Sequence, residues 1–195
     1  MSKLKGTSLV GGSVSFERAE NDFYATDPKS VLSLLAVEDF NNGVILEPCC
    51  GQGHISKILK AYTNSDVASS DIVDRGYGDG QIDFLNKNST FMDIDYIVTN
   101  PPFKLAKEFV DKSLKIATKK VAMFLKIQFL EGQSRKEWFK NTPLKTVYVF
   151  SKRQVVFNNG DKINPKTGKA WANTMCFCWF VWEIGYTGKP QIEWI

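Results

Sequence analysis

Val44-Ile-Leu-Glu-Pro-Cys-Cys-Gly-Gln-Gly-His-Ile-Ser56 is the stretch that decides the fold of this chain. Val44 to Glu47 is a short apolar run of the kind that forms a buried strand, and Ile55, Ile58 and Leu59 then recur at helical spacing. Between them Gly51 and Gly53 let the backbone turn sharply and approach a ligand closely, because neither carries a Cβ. Strand, Gly-x-Gly and helix together form the grammar of a nucleotide-type cofactor loop. Ser56 stands where the third glycine of the dinucleotide fingerprint would fall, which argues against a pyrophosphate. Glu47, placed at the strand end before Pro48, favours a ligand carrying an amine over one carrying a phosphate. A lone Gly-x-Gly also suits an ordinary turn, so its reading rests on what flanks it.

Downstream, the apolar run that ends at Thr99 leads into Asn100-Pro101-Pro102-Phe103. A nucleobase amine is a poor nucleophile, since its lone pair is delocalised into the ring, and activating it calls for acceptors for both N–H bonds. The Asn100 side-chain oxygen and the Pro101 carbonyl offer two. Each residue before a proline is pushed towards extended backbone, so Asn100 and Pro101 are both kept out of helix. Phe103 adds a ring for stacking, which suits enzymes that pull a base out of its stack. A strand ending in a proline turn, with Phe103 on the core, is the plainer alternative.

Further out, the pattern alternates. A helix is expected near 28–37, strands at 44–47, 66–70 and 93–99, helices at 54–62 and 104–118, and a strand at 120–126. A short helix after residue 134, strands at 145–150 and 174–182, and a last strand at 191–195 complete the order. Such alternation implies a parallel sheet wrapped by helices.

With these motifs in order, the chain resembles the S-adenosylmethionine-dependent amino-methyltransferases, and most of all the small adenine-N6 DNA methyltransferases carried by phages and mobile elements. Phe23-Tyr-Ala-Thr-Asp-Pro28 resembles the family's N-terminal cofactor motif, and Glu47-Pro48-Cys-Cys-Gly51-Gln-Gly53 its glycine loop. Asp71 with Ile72 resembles the acidic end of the second strand, Asp83-Phe84 the adenine-binding pair, and Asn100 to Phe103 the catalytic loop. Glu47, where the family has Asp or Asn, and the paired cysteines are departures. The resemblance implies an α/β Rossmann-like class I methyltransferase fold. Its mostly parallel seven-stranded sheet would have an antiparallel strand from a C-terminal hairpin and helices on both faces. It also implies S-adenosyl-L-methionine as cofactor, with Asp71 on the ribose hydroxyls, and Asp83 and the Phe84 N–H on the adenine. Tyr24 and Thr26 would lie near the methionine portion and the target base. Each position also has a structural reading: Asp71 as a strand-end turn, Asp83 as a cap, and Thr26 or Asp27 as the cap of the helix opening at Pro28.

A length of 195 residues with 43% hydrophobic content supports one domain, expected over 21–195, with 1–20 as a glycine- and serine-containing flexible arm. The longest apolar run, Met175 to Trp182, is far short of the roughly 20 residues a membrane span needs. The four cysteines and single His54 do not form a zinc-binding pattern, so no metal site is expected, and the zinc deaminases drop out as a class. Free, buried thiols and a cytoplasmic setting, in a bacterial or phage-infected cell, are expected. Residues 151–170 hold Lys152, Arg153, Lys162, Lys166 and Lys169 against the single acid Asp161, which suits phosphate contact as well as a plain solvated loop. The net charge of +4 is compatible with a nucleic-acid partner.

The same loop would also accept adenine in RNA, cytosine N4, guanine N2 or a glutamine amide, since all present planar N–H groups. A catalytically idle nucleic-acid-binding protein is the alternative of another class. No separate target-recognition domain is expected in these 195 residues beyond the basic loop. Specificity is therefore either short or supplied by a partner subunit or a homodimer.

Overall fold

The computed structural model describes residues 23–165, 167–169, 171 and 175–195. The arm expected over 1–20 and Lys166 lie outside these described residues. The ten strands are β1 (Tyr24–Thr26), β2 (Val44–Glu47), β3 (Asp66–Asp71), β4 (Gly80–Gln81), β5 (Tyr96–Thr99), β6 (Lys120–Lys126), β7 (Leu144–Val149), β8 (Val156–Asn158), β9 (Phe177–Glu183) and β10 (Gln191–Trp194). The helices are α1 (Pro28–Leu35), α2 (His54–Tyr62), α3 (Ala106–Ile116) and α4 (Gln133–Lys140).

Eight strands form the main sheet in the order β10-β7-β9-β6-β5-β2-β3-β4. All neighbours are parallel except β9, which runs antiparallel between β6 and β7. These include the seven strands expected, with β9 as the reversed one and β10 as the last, and the two-residue β4 extends the sheet by one strand at the edge beyond β3. The chain runs outward from β2 to β3 and β4, then crosses back to start β5 on the other side of β2. This reversal opens a crevice at the carboxyl ends of β2 and β5, where ligands bind in open α/β sheets.

Strand alternation assigns the two faces. Leu46, Ile97, Val121, Met123 and Leu125 pack with Phe109 and Val110 of α3, while Ile45, Tyr96, Val98, Ala122 and Phe124 pack with α1 and α2. Helices thus cover both faces. Asp27 caps α1 by accepting from the Lys29 N–H at 2.9 Å, and Pro28 occupies the first turn, where its missing N–H costs nothing. The hairpin strand β9 is buried from Phe177 to Trp182, and the Trp179 indole donates to the Ser30 carbonyl at 2.8 Å, tying the sheet to α1.

Three local expectations change. The strand foreseen from 93 begins at Tyr96, because Asp93 takes a left-handed turn. The helix foreseen from 104 opens as a 3-10 turn, Phe103–Leu105, since the two prolines hold the preceding backbone extended. The segment 151–170 is more than a loop: its β8 pairs antiparallel with β1, in a separate two-stranded ribbon, and buries Val156 and Phe157.

Candidate active site

A cleft with a cavity volume of about 120 Å³ lies at the carboxyl ends of β2, β3 and β5. Of the residues singled out in the sequence, Tyr24, Thr26, Glu47, Pro48, Asp71, Ile72, Asp83, Phe84, Asn100 and Pro102 line it. Gly51, Gly53, Pro101 and Phe103, also singled out, are not among the residues that line it.

Each acid is held by a local bond. Glu47 is buried, and its Oε2 accepts from the Ser56 N–H at 2.7 Å and from the Ser56 hydroxyl at very short range. Ser56, where the dinucleotide fingerprint would have glycine, is thus the partner of Glu47. Burial pushes the Glu47 carboxyl up to about 8, against the opposing pull of the two Ser56 bonds. Asp71 accepts from the Gly51 N–H at 2.8 Å and from the Val73 N–H at 3.0 Å, which fixes its carboxylate at the end of β3. Asp83 accepts from the Leu85 N–H at 2.9 Å in a turn, not as a helix cap. The Phe84 ring is buried against Phe91 and Phe109, so only its backbone can face a ligand.

The glycines serve the cleft indirectly. Gly51 and Gly53 have φ of 51° and 79°, which favours glycine. A Cβ on Gly51 would collide with the Phe23 ring, and one on Gly53 would meet the Tyr77 ring. Side chains of this protein, not only a ligand, therefore need the bare backbone.

On the opposite wall, the Asn100 amide nitrogen donates to the Tyr24 carbonyl at 2.8 Å and to the Thr26 hydroxyl at 3.0 Å. A carbonyl can only accept, so the end of the amide that faces Tyr24 must be the NH₂ group. Oδ1 is left as the end with no protein partner among the described residues. Thr26 is buried and bonds Asn100, while Asp27 alone caps α1. The Tyr24 and Phe103 rings stack on each other with centroids 5.7 Å apart, and the Lys126 ammonium lies 4.5 Å from the Phe103 centroid.

Several cleft residues carried no role in the sequence reading. His54, Ile82 and Arg75 line it, as does Phe23, which was quoted only as the first residue of the N-terminal motif. Burial and the nearby charges of Lys57 and Lys162 hold the His54 pKa below its usual value. The Arg75 guanidinium lies over the Phe23 ring at 4.4 Å, and its buried Nη1 has no partner among the described residues. Arg75 sits between Asp74 and Gly76 in a loop, where sequence offers no signal beyond a solvated charge. The four cysteines are free as expected, but only Cys50 and Cys178 are fully buried; Cys49 and Cys176 are partly exposed. No group of acids, cysteines and histidine among the described residues is arranged to hold a metal.

Of the five basic residues of the 151–170 segment, Lys152, Arg153, Lys162 and Lys169 are exposed. The segment also folds back onto the glycine loop, as a Cβ on Gly160 would collide with the Gln52 side chain. No helix of the described residues is long and apolar enough to cross a membrane.

No protein-family model matches the sequence, and no curated protein matches it. Solved structures do. The type I restriction-modification methyltransferase subunit from Streptococcus thermophilus is 14% identical, with a TM-score of 0.62, over 92% of this chain and 48% of its own. A modification subunit assigned to a type I restriction enzyme of Vibrio vulnificus YJ016 gives 14% identity and a TM-score of 0.59, over 89% and 47%. The 23S rRNA methyltransferase ErmE gives 14% identity and a TM-score of 0.57, over 86% and 72%. This chain spans about half the length of the two restriction-system subunits. At such identities the likeness is one of fold: the chain has the α/β Rossmann-like fold of these methyltransferases.

Proposed function

We propose that this chain uses S-adenosyl-L-methionine to methylate the exocyclic N6 amine of adenine in DNA, after flipping the base into the cleft. One observation carries the reading: the Asn100 amide is locked by the Tyr24 carbonyl and the Thr26 hydroxyl, with its acceptor end left over. An acceptor fixed in advance is what a planar amine needs, and orienting it needs no reorganisation at the moment of reaction.

The cleft residues fit the cofactor. Ile72 and Ile82 present exposed apolar side chains at the rim, suited to the faces of an adenine, with Asp83 and the Phe84 N–H beside them. Asp71 retains lone pairs for ribose hydroxyls, since each of its oxygens accepts a single backbone bond among the described residues. Buried Glu47 faces the region left for the ammonium. When bound, the cofactor supplies an electrophilic methyl group on a sulfonium.

For their part, Asn100 Oδ1 and the Pro101 carbonyl accept the two amine hydrogens and aim the nitrogen lone pair along the line of transfer. The amine gains the methyl and loses one proton to solvent, so no strong general base is required. The Tyr24–Phe103 pair forms an aromatic wall against which the flipped base stacks. Exposed Lys152, Arg153, Lys162 and Lys169, together with Lys166, contact phosphates. Target selection falls to a short sequence preference, a specificity partner or a second copy of the chain.

The rRNA methyltransferase among the structural neighbours supports RNA as a second substrate class. Incubation with isotopically labelled S-adenosylmethionine and, separately, DNA and RNA, followed by nucleoside mass spectrometry, decides. Labelled N6-methyldeoxyadenosine is the expected product. Label confined to RNA would move the enzyme to that substrate, and label in neither would overturn nucleic-acid methylation.

A further inference from the structure

Arg75 is the sole lysine or arginine among the described residues that line the cleft. Its guanidinium stacks on Phe23, and Phe23 in turn fills the space over Gly51, so Arg75 is held on the glycine-loop side of the cleft. The stacking explains where the stem and plane lie. It does not explain why buried Nη1 has no hydrogen-bond partner among the described residues. Buried donors are nearly always satisfied, and one left over at a cleft wall points to a ligand that completes it.

The charges of the wall say which kind of ligand. Its acids are Glu47, Asp71 and Asp83. Its other basic side chain, His54, has its proton affinity lowered by burial and by Lys57 and Lys162, which leaves Arg75 as the permanent cation. In the reading above, Asp83 serves the adenine, Asp71 the ribose and Glu47 the ammonium. In that reading the cofactor's one anionic group, the carboxylate of its amino-acid arm, would still lack a partner. A guanidinium offers parallel N–H bonds in a fixed fork that matches a carboxylate. We infer that Arg75 holds the α-carboxylate of the cofactor's amino-acid arm, an assignment that rests on the methyltransferase reading.

The test is equilibrium binding by the full chain of S-adenosylmethionine and of its decarboxylated form, measured calorimetrically. Arg75→Met keeps an apolar stem on Phe23 but removes the fork. It should weaken S-adenosylmethionine roughly 10- to 100-fold, the range for a hydrogen bond to a charged group. The decarboxylated ligand should change by less than about threefold, since it lacks the group Arg75 would hold. Arg75→Lys, which keeps the charge without the fork, should fall between. Equal losses for both ligands in both variants would overturn the assignment and make Arg75 a wall residue. Unchanged cofactor binding with weakened DNA binding would also overturn it, in favour of phosphate contact. Failure of the unaltered chain to bind either ligand is a distinct result, which would remove the methyltransferase reading and this assignment with it.

Discussion

The two walls of the cleft are built by opposite means. On the β2–β3 side, Glu47 and Asp71 are held by bonds made nearby in the chain, from Ser56, Gly51 and Val73. On the β5 side, Asn100 is held by Tyr24 and Thr26 from the distant strand β1, whose own sheet partner is β8. The first wall forms once the β2–α2–β3 unit forms. The second depends on a clasp between remote segments, and its reward is an amide fixed at one end and open at the other. Cofactor binding and acceptor positioning are therefore separable properties, and mutations should be able to take one without the other.

Asn100→Ala gives the sharpest separation. Turnover should fall by about 10³-fold, the scale for loss of a preorganised polar group at a reacting atom, while cofactor affinity stays within about threefold. Single-turnover methylation and calorimetric binding read the two quantities independently. Parallel loss of both would join the walls that the geometry separates.

Glu47→Gln tests the first wall through its proton. The folded-state pKa of Glu47 is raised from the ordinary 4.5 to about 8, so the native protein binds the extra proton across that window. Stability is then greatest below about 4.5 and falls as pH rises through the folded value of about 8. The glutamine variant resembles the protonated acid and lacks this slope. It should match the unaltered protein at about pH 4 and exceed it above about pH 8 by an amount of order 5 kcal/mol, measured by urea unfolding. Superimposable pH profiles would show that Glu47 does not titrate in this range.

Much of the first wall was legible and much of the second was not, for physical reasons. Strands β2 and β6 and helix α2 have the bounds that their patterns predict, since each is specified by its own apolar run or helical repeat. Strands β1 and β8 have three residues each, too few to show a period, and their pairing joins segments remote in sequence. Val156 and Phe157 were hidden among lysines, asparagines and glycines. Thr26 showed the chemistry of a helix cap, and only the folded chain could assign its hydroxyl to Asn100. Glu47 was readable as a strand-end acid, though not as a buried one, whereas Ser56 showed only a missing glycine. The value of Ser56 as the carboxylate's partner depended on the helix turning back over the strand.

Thr26→Val probes the clasp more gently, because it deletes the hydroxyl and keeps the shape. The Tyr24 carbonyl still holds the Asn100 NH₂ group, so kcat should drop only about tenfold, the cost of one hydrogen bond, with cofactor affinity unchanged. A matching rise in cofactor Kd would place Thr26 on the first wall instead. The mildest effect belongs to Lys152→Ala with Arg153→Ala. DNA affinity should weaken similarly across sequences, and the slope of log affinity against log salt should shrink by about 2. An unchanged slope, measured by fluorescence anisotropy across a salt series, would make these side chains a solvated surface only.

The pairing of β1 with β8 also has a consequence for how the protein is made. Tyr24 is synthesised early, but the Asn158 it pairs with leaves the ribosome only after most of the sheet strands have been synthesised. The β2–α2–β3 unit can gather while translation continues. The clasp on Asn100 cannot close until the ribbon's second strand arrives, so the acceptor loop reaches its working geometry late in synthesis. A nascent chain would thus complete its Glu47–Asp71 wall before its Asn100 wall.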